Sequence, residues 1–132
     1  MAAVTPQEAV IRNLYQAFAA RDGESLRRLI AEDAAWIVPG QSPVGGTYRG
    51  HQAIFDYFTD LGRRSRGTFR AELVDVLVGA GTEVAALARA RGEREGRTYD
   101  GRYLLLCEVA DGRVTRATLC NEDPVAFDAF WS

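Results

Sequence analysis

Apolar positions recur with two periods, and the change of period divides the chain. In residues 6–21, Val10, Leu14, Ala17 and Phe18 form one stripe at helical spacing, with Ile11 and Tyr15 beside it. Thr5 suits the cap, Pro6 the first turn and Glu8 a capping box, while Asp22-Gly23 stops the helix. Residues 24–31 place Leu26, Leu29 and Ile30 on one side and predict a short second helix. Residues 34–38 are apolar, include Trp36 and predict a strand. Residues 39–50 hold two Pro and four Gly and predict a long loop. Helical spacing resumes in residues 51–61 through Ile54, Tyr57, Phe58 and Leu61.

After Gly67 the pattern becomes strand-like. Residues 68–78, 83–91, 98–109 and 114–121 predict four long strands. Asp111-Gly112, between the last two, is a strong hairpin signal. Leu73 and Val74 are both apolar, which breaks the alternation and predicts a bulge. Residues 124–131 form a short closing segment of helical character. Helices followed by an antiparallel meander predict one α+β domain, with helices on one face of a curved sheet. An apolar pocket between the two layers is then the default binding site.

Composition narrows the chemistry available to that pocket. All 16 basic residues are Arg, with no Lys, one His (His51) and two Cys (Cys107 and Cys120). Schiff-base and pyridoxal-phosphate chemistry lack their amine. A phosphate loop lacks its Gly-Lys pair. One His and two distant Cys do not make a metal site, and no GxSxG elbow is present. No cofactor and no metal are therefore expected. A net charge of −2 gives no reason for nucleic-acid or membrane binding. The N-terminal residues lack the pattern of a signal peptide, so a reduced, cytoplasmic protein is expected.

Several segments together carry a family likeness. They are Leu14-Tyr15-Gln16-Ala17-Phe18, Ala31-Glu32-Asp33-Ala34-Ala35-Trp36, Pro39-Gly40 and Gly46-Thr47-Tyr48-Arg49-Gly50. Ala53-Ile54-Phe55-Asp56-Tyr57-Phe58, Asp111-Gly112-Arg113-Val114, Asp123 and Phe130-Trp131 complete the set. With these the chain resembles the SnoaL-like polyketide cyclases of the nuclear-transport-factor-two-like superfamily. That superfamily also holds ketosteroid isomerase, scytalone dehydratase and limonene epoxide hydrolase. The resemblance covers nearly the whole chain and is specific for fold rather than reaction. It implies a cone-shaped, strongly curved, mainly antiparallel sheet wrapped around the N-terminal helices and enclosing a pocket, a cystatin-like roll, often as a homodimer.

A two-residue hairpin pairs Ala110 with Arg113. Counting back places Arg102 opposite Asn121, Leu104 opposite Leu119 and Leu106 opposite Ala117. The resemblance implies that this face lies inside the cone, with Tyr15, Trp36, Tyr57 and Phe58 near the cavity. Phe69 is read as core or pocket wall. The opposite face, with Tyr103, Leu105, Cys107 and Val109, is then read as an exposed apolar surface for a partner. Cys107 falls opposite Arg116, so the two Cys do not pair.

The resemblance makes Asp123 the general base, and Glu122 fits the position about as well. Burial among apolar walls raises a carboxyl pKa toward neutrality. The alternative is that Asp123 caps the closing helix ahead of Pro124. Arg102, near Asn121 and Asp123, either holds an anion or enolate or makes a structural ion pair. Tyr15 matches the oxyanion-donating Tyr of ketosteroid isomerase, or it is a core aromatic. That enzyme's base precedes a Pro, where this chain has Val38, and its second acid maps to about Tyr103 or Leu104. His51 is either a surface residue at a helix start or an acid–base group under the 39–50 loop. The expected function is cofactor-free cyclisation, isomerisation or dehydration of an apolar, polyketide-like or aromatic small molecule. A non-catalytic ligand-binding or dimerisation domain, or epoxide opening by an Asp-Arg-Asp relay, are the alternatives.

Overall fold

A computed structural model describes residues 4–132. The elements run α1 (Pro6–Ala20), α2 (Gly23–Leu29), β1 (Ile30–Val38), β2 (Gly46–Arg49) and α3 (Gly50–Arg64). They continue β3 (Arg70–Val78), β4 (Glu83–Arg94), β5 (Arg97–Ala110), β6 (Arg113–Asn121) and α4 (Pro124–Trp131). Local chemistry sets the helix ends. The Glu8 amide donates to Thr5 Oγ1 at 3.1 Å, and the Ser25 amide donates to Asp22 Oδ1 at 3.1 Å. Arg21, at φ 53°, takes the left-handed position that ends α1.

The six strands form one open sheet in the order β2-β1-β6-β5-β4-β3. Every pair is antiparallel except β1 with β6, which is parallel. One face of the sheet packs under the helices, and the core holds Ile11, Leu14, Ile30, Ile54 and Trp131 fully buried. Each such side chain contributes about 1.5–3 kcal/mol by burial. The other face leaves Leu77, Leu104 and Leu106 exposed. This is the α+β cone expected from the sequence. No helix among the described residues is long and apolar enough to cross a membrane.

Three details depart from the sequence reading. β1 begins at Ile30 rather than Ala34, and the 39–50 loop contains the edge strand β2, which pairs Trp36 with Tyr48. The bulge expected at Leu73-Val74 is present. A second bulge was not foreseen. Val109 pairs with Val114, but Glu108 pairs with Arg116, so Thr115 is an extra residue in β6.

That bulge moves the partners of β5 by one. Leu119 lies opposite Leu105, Ala117 opposite Cys107, and Asn121 opposite Tyr103. The concave face therefore carries Tyr103, Leu105, Cys107 and Val109, all buried. The expectation that these four form an exposed partner surface is corrected. So is the inward placement of Arg102, Leu104 and Leu106, which stand on the convex face and are exposed.

Candidate functional site

Alternation along the strands and the 3.6-residue helical period converge on one region. β1 contributes Trp36, β5 contributes Tyr103 and Leu105, and β6 contributes Leu119. α1 adds Tyr15 and Phe18, three positions apart, and α3 adds Tyr57 and Phe58. They line a cavity of about 1310 Å³ that also touches Phe69 and Phe127. This is ample for a multi-ring ligand.

The wall is an aromatic cluster. Phe58 meets Trp36 edge-on at 5.1 Å and Phe18 at 5.2 Å between ring centroids. Phe18 meets Trp36 at 6.3 Å in the same manner. Such T-shaped packing fixes each ring's orientation. The Tyr57 ring stacks on Tyr48 at 4.5 Å, which ties the cavity to the edge strand β2.

Three phenols form the polar part of the floor. The Tyr15 and Tyr103 hydroxyls share a hydrogen bond of 2.7 Å. One phenol must donate and the other accept, so one hydroxyl hydrogen stays free for a ligand. Tyr57 sits beside them and brings a second. Burial pushes the ionisation of all three well above the ordinary phenol value, and neighbouring phenols push each further. The bond from Tyr15 partly offsets this at Tyr103. Burial also pushes the Cys107 thiol up to about 12. These groups are therefore neutral donors at ordinary pH. Among the described residues, Glu72 on the edge strand is the only carboxylate in the lining.

The structure brings together Tyr15, Trp36, Tyr57, Phe58, Phe69 and Leu119 as expected from the sequence. Asn121 is half-buried on the concave face but outside the lining. Leu104 is on the convex face. His51 hydrogen-bonds through Nε2 to the Ile30 carbonyl at 2.6 Å and packs edge-on against Phe55, a lining ring, but is not itself in the lining. Arg102 pairs with Glu122 at 2.6 Å on the convex face, both side chains more than half exposed.

Asp123 is the N-cap of α4. Its Oδ1 accepts the Ala126 amide at 3.0 Å, and the residue is exposed. Of the two roles open to it in the sequence, this is the capping one. Asp123→Ala is expected to cost about 1 kcal/mol of stability and to leave ligand binding unchanged. Urea unfolding beside a binding titration checks both halves.

Tyr103 and Leu105 were missed as site residues, although a signal existed. The odd positions from Tyr99 to Val109 hold no charge, whereas the even ones include Asp100, Arg102 and Glu108. A second cleft, of about 680 Å³, is rich in arginine. Its arginines are largely engaged. Arg63 and Arg64 pair with Asp60, and Arg94 and Arg97 donate to carbonyls at the end of α4. Among the described residues, no group of three or more His, Cys, Asp or Glu side chains is placed to hold a metal ion.

Comparison with known proteins gives a consistent set. A family model described as a SnoaL-like domain matches residues 11–117. The uncharacterized protein Rv0034 of Mycobacterium tuberculosis is 33% identical over 123 residues, covering 93% of this chain and 94% of that protein. The structure of Bal32a, from a soil-derived mobile gene cassette, is 32% identical with a TM-score of 0.94 and covers 98% of each chain. IdmH, a candidate polyketide cyclase from Streptomyces antibioticus, is 28% identical with a TM-score of 0.72. That match covers 88% of this chain and 91% of IdmH.

Proposed function

The chain belongs to the SnoaL-like domain family, and from that premise we propose that its cavity binds an apolar, carbonyl-bearing small molecule of polyketide-like or aromatic type. There the phenol cluster polarises a carbonyl for cofactor-free cyclisation, isomerisation or dehydration. The observation that carries this reading is the Tyr15–Tyr103 pair beside Tyr57, polar donors set in an aromatic floor. Neutral, preoriented phenols stabilise charge that develops on an oxygen, and they need not reorganise to do so. The likeness to IdmH supports the polyketide-like substrate class.

The proton acceptor follows from the same lining. With no carboxylate at the floor among the described residues, the substrate itself has to be acidic. A poly-β-ketone meets that requirement. Once its carbonyl oxygen is hydrogen-bonded, the carbon between two carbonyls releases its proton to water; the enolate carbon then bonds to a more distant carbonyl carbon, whose π bond breaks, and the resulting alkoxide takes a proton back from water. Asp123 and Arg102 take no part in this scheme. An Asp-Arg-Asp relay for epoxide opening has no counterpart in the lining among the described residues.

The same lack of a carboxylate favours one second reading, a ligand-binding domain without turnover. One experiment separates the two. A poly-β-ketone is titrated against the Trp36 fluorescence, and product is followed by mass spectrometry. Quenching with product supports the enzyme. Quenching without product supports the binding domain, and no quenching removes both. Tyr15→Phe alone leaves the Tyr103 hydroxyl free to donate, so the single change is expected to be mild. The Tyr15→Phe/Tyr103→Phe double variant is expected to lose about 10²-fold in rate, as for removal of an oxyanion donor.

A further inference from the structure

We infer that the cavity prefers a ligand that carries an anionic group at one end of its apolar body, and that Arg21 reads that charge. This rests on the cavity being a ligand site. Arg21 belongs to the lining. The turn that ends α1 fixes its backbone, because the Arg21 amide donates to Phe18 O at 3.1 Å and the Asp22 amide to Ala17 O at 2.9 Å. From there Arg21 Nη2 crosses to the α3–β3 connection and donates to the Gly67 carbonyl at 3.2 Å. Gly67 lines the same cavity.

That carbonyl is neutral. It occupies one of five guanidinium donors and leaves the charge unanswered. No carboxylate among the described residues lies within ion-pair distance of Arg21. Of the acids, Asp22 and Glu8 are already committed. Asp22 accepts from the Ser25 amide and hydroxyl. Glu72, the lining's carboxylate, stands opposite Arg89 across the β3–β4 pair, but Arg89 is held by Asp100 at 2.6 and 2.7 Å, and Glu72 makes no ion pair among the described residues. Glu8 holds Arg12, another lining residue, at 2.8 Å.

A further cation reinforces the asymmetry. The Arg27 guanidinium lies 4.6 Å from the centroid of Phe55, a lining ring. The lining therefore combines the exposed guanidinium of Arg21, free of any ion pair among the described residues, with buried neutral phenols and aromatic surface, and its one carboxylate, Glu72, is not within ion-pair distance of Arg21. A carboxylate or sulfonate matches the guanidinium fork with two parallel hydrogen bonds. The ligand class this selects is an aromatic or polyketide-derived acid, with its anion on Arg21 and a carbonyl on the tyrosines.

The test uses two probes with one ring body, 1-anilinonaphthalene-8-sulfonate and the uncharged N-phenyl-1-naphthylamine. Binding is read from Trp36 quenching, with Trp36→Phe supplying the Trp131 background. Wild type is expected to favour the sulfonate by about tenfold, the scale of one charge-assisted hydrogen bond. Arg21→Gln is expected to bring the two affinities together, and Arg21→Lys to restore part of the difference. Arg113→Gln, exposed at the start of β6, is expected to keep the wild-type ratio. Equal affinities in wild type, or a preference that survives Arg21→Gln, overturn the inference. If neither probe quenches Trp36, the cavity reading fails as well.

Discussion

Raising the pH past about 10 is expected to unfold this protein over a narrow interval. Tyr15, Tyr57 and Tyr103 are buried, and each ionises above the ordinary phenol value of 10.0. Below that value both folded and unfolded chains keep the protons, and the contribution to stability is complete. Above it the unfolded chain releases protons that the folded chain retains, so stability falls as pH rises toward the folded values. Each phenol costs about 1.4 kcal/mol per pH unit, and three together about 4 kcal/mol. Cys107 adds to the loss from its ordinary value of 9.0 up to about 12. A domain holds about 5–15 kcal/mol in all, so about two units beyond 10 exhaust most of it. Circular dichroism and phenolate absorbance are expected to change together in one transition. The Tyr15→Phe/Tyr103→Phe variant should move it upward. Gradual ionisation of the buried phenols with the dichroism unchanged would count against the burial argument.

Trp131→Ala is expected to cost about 3–5 kcal/mol, the range for removing a large buried aromatic side chain. Trp131 is fully buried at the end of α4. Its ring packs against Phe130 at 4.8 Å, Phe69 at 5.1 Å and Phe127 at 6.3 Å. Its indole N–H has no hydrogen-bond partner, so truncation breaks no such bond and the cost is packing alone. Trp131→Phe keeps a ring and removes the unpaired N–H, and it should cost much less. Urea unfolding measures both, and a loss below about 1 kcal/mol for Trp131→Ala would be too small for a side chain packed in this way. The effect reaches the site, because Phe69 and Phe127 touch both Trp131 and the cavity.

How much of this was legible in the sequence depended on what each residue touches. Val10, Leu14 and Ala17 repeat over several turns, and Thr5 and Pro6 mark the start, so α1 was readable to within a residue. Asp111-Gly112 fixed the hairpin, as Ala110↔Arg113 shows. β2 escaped because its four residues carry one half-buried side chain, Tyr48, between exposed neighbours. The face of β5 was read inverted for two reasons. Leu104, Leu105 and Leu106 are apolar on both sides of the strand, and the extra Thr115 moves every partner from Glu108 back to Tyr103 by one. The aromatic wall survived that error, since Trp36, Tyr57 and Phe58 reach the cavity from β1 and α3. The phenol pair did not, because half of it lies on β5.

The parallel seam between β1 and β6 has a consequence in time. It pairs Trp36 with Ala117, and the Tyr15–Tyr103 bond nearby joins residues 88 positions apart. Contacts of such span come late in folding, since the chain between must be ordered before they form. During synthesis β1 and β2 are made long before β6 leaves the ribosome. Until then β1 has a bare edge, and the aromatic side chains of α1 and α3 have no lid of strands. The half-made cavity is therefore a sticky surface for as long as translation of the second half takes, and the nascent chain is most exposed to misassociation while β3–β5 are still being added.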